Sequence, residues 1–112
     1  MSKTAFMALL NREDSKLSPH FGKAKWVAVH EDGGAWRFVQ NTVLNGRGVV
    51  DILTANGCQD VVFTEIGVGA LDHLNQAGIG GWLGPSDLSL PELLQALGRG
   101  ELRRAGHSSR NT

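Results

Sequence analysis

A continuous apolar run near the start of the chain, residues 4–10, constrains the fold more than any other feature. It reads Thr-Ala-Phe-Met-Ala-Leu-Leu and is followed at once by the polar residues 11–15. A short run without polar alternation is typical of a strand that is covered on both faces. We therefore expect residues 4–10 to form a central strand of a sheet. Residues 11–22 show neither strand nor helix periodicity, so we expect a loop at the carboxyl end of that strand.

The next segments predict a β-hairpin and then alternating helices and strands. Residues 26–30 and 35–40 are rich in β-branched and aromatic side chains, and two glycines between them allow a tight turn. Helical spacing of apolar residues recurs three times after that, and short apolar runs at 61–63 and 79–83 separate the helices. The expected helix ends are Gly57, Gly78 and Gly98. The third helix is expected to begin with a capping box formed by Ser89 and Glu92.

The predicted order of elements is therefore β-β-β-α-β-α-β-α. A hairpin followed by two strand–helix units predicts an α/β fold with a five-stranded mixed sheet and helices on both faces. The first, fourth and fifth strands should be parallel. We expect a single domain over residues 1–102 and a flexible polar tail over 103–112. Ligands of such sheets lie outside the carboxyl ends of the parallel strands, which here are the loops at 11–22, 64–69 and 82–87.

Composition and charge narrow the function classes. The formal net charge is +0, so the chain as a whole is not attracted to nucleic acid or to an anionic membrane surface. No apolar run approaches the ~20 residues that span a bilayer. Cys58 is the single cysteine, which excludes an intramolecular disulfide, and residues 5–10 are too short for a signal-peptide core. We therefore expect a cytoplasmic protein that has neither nucleic acid nor a membrane as a partner.

The loop at 11–22 contains the first candidate site. His20 could offer an imidazole to a metal or an anion, Phe21 would exclude water, and Gly22 would allow close backbone approach. The alternative is structural: Phe21 anchors the loop and His20 is solvated. Ser18 lies near His20 in sequence, but no acid is clearly placed to orient the histidine, so a hydrolase is only weakly indicated.

Two glycine-bearing segments that begin helices contain the remaining candidates. Their residues are Asn45, Gly46, Arg47 and Gly48 in one segment and Gly67, Val68 and Gly69 in the other. Backbone amides and the helix dipole at such starts can bind an anionic ligand, and Arg47 could approach it. The alternative is a tight turn with a solvated arginine. The second segment is not the dinucleotide fingerprint, because Asp72 stands at the third glycine position.

Metal ligation by dedicated protein side chains lacks its usual pattern. Cys58 stands alone, and the four histidines have no ligand spacing. A two-metal nuclease would need clustered carboxylates, one of them on the first strand, and residues 4–10 contain none. The residues therefore predict neither a structural zinc site nor a nuclease centre.

Five motifs occur in order between residues 4 and 102. They are Ser-Pro-His-Phe-Gly-Lys-Ala at 18–24, Gly46 and Gly48 at a helix start, Ile-Gly-Val-Gly-Ala-Leu at 66–71, Leu-Asn-Gln-Ala-Gly-Ile at 74–79 and Leu-Gly-Arg-Gly-Glu-Leu at 97–102. Together they resemble the dinitrogenase iron-molybdenum cofactor-binding family, the small NifX-like domains. This chain has Asn45 and Arg47 where many relatives have histidine or acids.

The resemblance implies a ribonuclease H-like fold and non-catalytic binding or carriage of an anionic metal-sulfur cluster. The cluster would be an iron-molybdenum cofactor precursor or, as in the related orange proteins, a molybdenum-copper sulfide cluster. Such a ligand brings its own sulfide, so amides, arginine and an imidazole would suffice to hold it. His20 is then the best direct contact to the metal, and the glycine turns at 46–48 and 67–69 line the crevice. A protein that donates or receives the cluster is the implied partner.

Two other classes stay open at this point. One is a regulatory module without a cluster, which would bind a protein partner through surfaces at Phe21 and Trp82. The other, with less support, is a metal-dependent nuclease.

Overall fold

The computed structural model describes residues 2–105. Its elements are β1 (Lys3–Ala8), β2 (Trp26–Glu31), β3 (Ala35–Gln40), α1 (Gly46–Ala55), β4 (Asp60–Phe63), α2 (Val68–Gln76), β5 (Gly80–Leu83), α3 (Leu90–Gly98) and β6 (Arg103–Arg104). The order of the first eight elements confirms the prediction. No described helix is both long and apolar enough to cross a membrane.

The strands form one mixed sheet in the order β3-β2-β1-β4-β5-β6. β1 pairs in parallel with β4, and β4 pairs in parallel with β5, while the other pairs are antiparallel. The central position of β1 is as predicted, and residues 5–8 are fully buried. Burial on both faces explains why this strand is apolar without alternation.

The prediction of five strands was wrong, because β6 extends the sheet to six. β6 is only two residues long, and it pairs Arg103 with Leu83 and Arg104 with Trp82. The guanidinium of Arg104 lies 5.2 Å from the centroid of the Trp82 ring, which is a cation–π contact. Two consecutive arginines have no strand signature, so only the tertiary contact places them in the sheet. The rest of the predicted tail, residues 106–112, lies outside the described residues, and the ribonuclease H-like assignment stays a prediction.

The helices lie on both faces of the sheet, as predicted. Val49, Val50 and Leu53 of α1 and Leu74 of α2 pack in one core cluster, and Leu90 and Leu93 of α3 pack in the other. α3 begins with the predicted capping box. Glu92 Oε1 accepts hydrogen bonds from the Ser89 amide at 2.9 Å and from the Ser89 hydroxyl at 3.0 Å.

β1 ends two residues earlier than the apolar run predicted. The strand stops at Ala8, and the side chains of Leu9 and Leu10 are 43% and 45% exposed. The physical reason is Ser15, a buried serine whose hydroxyl accepts hydrogen bonds from both leucine amides, at 3.1 Å and 2.9 Å. These two amides therefore belong to a turn and not to the sheet.

Candidate functional site

The amino ends of α1 and α2 meet at the edge of the sheet where β1 and β4 end. Gly46, the first residue of α1, lies against Ala70 of α2, and a β-carbon at Gly46 would overlap the Ala70 side chain. Only glycine permits this approach of the two helix starts. The sequence motif around Gly46 thus has a structural cause.

The loop that follows β1 closes on the same point. A β-carbon at Gly22 would stand 2.7 Å from the backbone nitrogen of Gly46. Three backbone segments therefore converge, from the loop and from the two helices. Gly22 was predicted to allow close backbone approach. The backbone that approaches it is the start of α1.

A buried asparagine holds the loop in this position. The Asn41 side-chain nitrogen donates to the carbonyl of Ala24 at 2.8 Å and to that of Gly22 at 3.3 Å, and its oxygen accepts from the Leu44 amide at 3.2 Å. Asn41 is 3% exposed. Leu44, which comes just before α1, has a positive φ of 54° that non-glycine residues rarely adopt. Asn41 thus ties the loop after β1 to the segment that precedes α1.

The loop after β4 forms the opposite wall. The Phe21 amide donates to the carbonyl of Glu65 at 3.0 Å. The Phe21 side chain is buried and packs edge-on against Phe63, with ring centroids 5.3 Å apart. Phe21 therefore anchors the loop in the core, which is the structural alternative considered for this residue.

These segments enclose a crevice of about 510 Å³. Its lining residues are His20, Gly22, Lys23, Leu44, Asn45, Gly46, Gly67 and Ala70. A smaller cavity of about 290 Å³ shares three of them and adds Phe21, Glu65 and Ile66. The lining residues of the two cavities extend from the end of the loop after β1 to the start of α2.

The charges around the crevice favour an anion. Neither α1 nor α2 has an acidic residue in its first turn, so no carboxylate in either first turn offsets the positive end of the helix dipole. Gly67, the residue just before α2, caps the helix without a side-chain hydrogen bond to the first helical amides. Lys23 adds a positive charge, and the one lining carboxylate, Glu65, has Oε1 3.8 Å from His20 Nδ1. The side chain of His20 is well exposed.

The structure brings together some of the predicted site residues and separates others. His20, Gly22, Asn45, Gly46 and Gly67 share the crevice, and Phe21 borders the smaller cavity. The residues outside these two linings are Ser18, Arg47, Gly48, Val68 and Gly69.

Two of the residues outside the crevice act within their own segments. The hydroxyl of Ser18 donates to the carbonyl of His20 at 3.3 Å, and the Gly48 amide donates to the side chain of Asn45 at 2.8 Å. Both contacts organise the backbone. The assignment of these residues as ligand contacts stays a prediction.

Sequence reasoning missed Lys23, Leu44 and Ala70 in the crevice. Glu65 and Ile66 of the smaller cavity lie in the 64–69 loop that was predicted to border a ligand, although neither was named as a site residue. Lys23 lies inside the motif at 18–24, so its position in the sequence could have indicated it. Nothing local distinguishes Leu44 or Ala70, because each enters the lining through contacts with a distant segment.

The ordinary metal-binding side chains do not gather here. Among residues 2–105, no three histidine, cysteine, aspartate or glutamate side chains are grouped to hold a metal ion. Cys58 precedes β4, so it lies at the amino end of that strand and opposite the crevice. Burial raises the pKa of the Cys58 thiol. It is a buried thiol of the core.

Comparisons with known proteins agree with this architecture. The apo form of the orange protein from Desulfovibrio gigas has a TM-score of 0.89 at 21% identity, over 98% of each chain. A NifB-like protein from Thermotoga has a TM-score of 0.84 at 21% identity, over the whole of both chains. A dinitrogenase-like protein from Methanocaldococcus jannaschii has a TM-score of 0.69 at 14% identity, over 95% of this chain and 96% of its own. At these identities the likeness shows the fold.

Comparison of the sequence with curated proteins finds no match. Comparison with protein families identifies one family. The model of the family described as dinitrogenase iron-molybdenum cofactor matches residues 3–100, which is most of the chain. The protein therefore belongs to the dinitrogenase iron-molybdenum cofactor family.

Proposed function

We propose that the protein binds and carries an anionic metal-sulfur cluster in the crevice between the loop after β1 and the starts of α1 and α2. Family membership points to an iron-molybdenum cofactor or a related cluster as the cargo. The observation that carries the proposal is the convergence of two helix amino ends, neither with an acidic first turn, beside an imidazole and an ammonium group.

The donor set suits a cluster better than a bare ion. A bare divalent metal needs several protein ligands, whereas His20 is the only histidine in the lining and Glu65 the only carboxylate. A preformed cluster brings its sulfide with it and presents an anionic surface. Backbone amides at Gly46 and Gly67, together with Lys23, would bind that surface. His20 would then contact one metal or sulfide directly.

The proposed role is carriage, so the protein need only hold and release its cargo. The crevice is open to solvent, which would allow a cluster to enter without unfolding of the loops. Iron-molybdenum and molybdenum-copper sulfide clusters are both candidates, because the lining selects for negative charge and provides no side-chain set that is specific for one metal.

Anaerobic titration of the protein with either cluster tests the proposal. We expect visible absorption to migrate with the protein in gel filtration at a ratio near one cluster per chain. The His20→Ala variant should bind at least tenfold more weakly. His73→Ala is the matched control, because His73 lies on α2 beside Asp51 of α1 and outside the crevice lining.

Two results would contradict the proposal. Absence of comigrating colour with both clusters would exclude cluster carriage. If His20→Ala bound as tightly as the parent chain while remaining folded, the assignment of His20 as a contact would be wrong.

A further inference from the structure

Two leucines are held in solvent at the end of the central strand. Leu9 and Leu10 have nearly half of their surface exposed, although they follow a fully buried strand. Both leucine amides donate hydrogen bonds to the hydroxyl of Ser15, and the Leu9 amide also donates to the Lys16 carbonyl at 3.1 Å. Ser15 is 1% exposed. The turn is therefore built around a buried side chain, which fixes the backbone of both leucines.

The leucines form one side of a groove of about 490 Å³. Its other lining residues are Ser18, Pro19, His20, Lys23 and Lys25. The surface that lines the groove is mainly apolar, and its lining includes two lysines and a histidine but no carboxylate. An apolar groove with cationic side chains in its lining is complementary to a segment that combines a large apolar side chain with acidic neighbours.

The groove is continuous with the crevice. His20 and Lys23 line both, so a molecule seated on the leucines would lie against the opening of the cargo site. The backbone of the turn is pre-organised, and binding would therefore not have to order it.

We propose that Leu9, Leu10 and Pro19, with Lys23 and Lys25, form a docking surface for an acidic segment of another protein that inserts one large apolar side chain. This inference rests on the proposed function for one point: a partner docked there is placed to deliver or receive the cluster. Charge complementarity identifies the occupant, because its carboxylates would face Lys23 and Lys25 while its apolar anchor contacts the leucines.

The test uses the full chain without any cluster. A phage-displayed library of random dodecapeptides is selected against the immobilised protein, and an enriched peptide is then synthesised with a fluorophore. We expect enriched sequences to combine Leu, Phe or Trp with Asp or Glu. Anisotropy should show that Leu9→Ser/Leu10→Ser and Lys23→Glu/Lys25→Glu each weaken binding at least tenfold, and that added salt weakens it further.

Matched controls separate the surface from general effects. Val68→Ser removes another exposed apolar side chain, and Arg99→Glu reverses another exposed charge, and neither residue lines the groove. Both controls should bind the peptide as the parent does. Circular dichroism checks the fold of each variant, and the single variants Leu10→Ser and Lys25→Glu replace any double variant that unfolds.

Four results would overturn the proposal. They are no enrichment, enrichment of basic sequences, peptide binding that the groove variants leave unchanged, and a self-associated protein that Leu9→Ser/Leu10→Ser makes monomeric. The last would assign the surface to a second copy of this chain. Because Leu9 and Leu10 lie outside the crevice lining, Leu9→Ser/Leu10→Ser should still bind the cluster, so the two proposals fail independently.

Discussion

The contact between Gly46 and Ala70 can be tested by exchanging the two residues. In Gly46→Ala the added methyl group overlaps the Ala70 side chain, and α1 cannot move away freely because Gly22 already packs against its first amide. Overpacking of this kind costs about 1–3 kcal/mol of unfolding free energy. Alanine is the better helix residue by up to about 1 kcal/mol, which offsets part of that loss. We expect a net loss of about 1–2 kcal/mol, or roughly 4–15 °C in Tm.

Ala70→Gly should relieve the overlap. Alone it costs about 1 kcal/mol, because glycine is unfavourable within a helix. If the two methyl positions compete for one space, the double variant loses little more than Ala70→Gly alone, and the double-mutant cycle shows a coupling energy of about 1–2 kcal/mol. Urea unfolding followed by tryptophan fluorescence measures all four proteins.

Gly69→Ala is the control for this cycle. Nothing within 4 Å would contact a β-carbon at Gly69, so this substitution in α2 should be neutral or stabilising. Two results would show that the two methyl groups do not compete for one space: a Gly46→Ala variant as stable as the parent chain, or a double variant whose loss is the sum of the two single losses.

Three further predictions concern the scaffold. Asn41→Ala should lower the unfolding free energy by about 2–3 kcal/mol in urea unfolding, because it leaves buried backbone groups without partners; a loss below about 0.5 kcal/mol would contradict the role of Asn41. Hydrogen bonds from the Ser89 amide and hydroxyl lower the pKa of Glu92 below its ordinary 4.5, so this contribution to stability is present above pH 4.5 and is lost as the pH falls through the lowered pKa. Glu92→Gln should therefore be less stable than the parent at pH 7 and equally stable in strong acid, whereas a pH-independent difference in thermal unfolding would be contrary to this account. Burial raises the pKa of the Cys58 thiol, so mass spectrometry should show slow alkylation by iodoacetamide at pH 7 in the folded protein and fast alkylation in urea; equal rates would mean that the thiol is accessible.

Much of the fold could be predicted from local patterns. The apolar run at 4–10 predicted the central strand, although the strand ends at Ala8, and the capping box at Ser89 predicted the start of α3. Each of these signals lies within a few neighbouring residues, and each reflects burial or backbone geometry that the segment keeps in any suitable fold. The order of eight elements followed from such signals.

The candidate site was only partly predictable. Gly22 was predicted to allow close backbone approach and Gly46 to lie at a helix start, but the contacts of Gly22 with Gly46 and of Gly46 with Ala70 were not predicted. Lys23 was missed as a lining residue. The ring of Phe21 lies in the core, and its assignment as a ligand contact stays a prediction. The direction of these side chains depends on how the loop after β1 docks on distant segments.

The sequence by itself determined the types and order of the first eight elements, because burial on one or both faces imposes a period on neighbouring residues. Only the tertiary structure decided where β1 ends, that Arg103 and Arg104 join the sheet, and which loops form the crevice. Those outcomes depend on the Ser15 hydroxyl, on pairing along β5, and on contacts between segments about 20 or more residues apart. No local period records such contacts, since their free energy is gained only when the chain is folded.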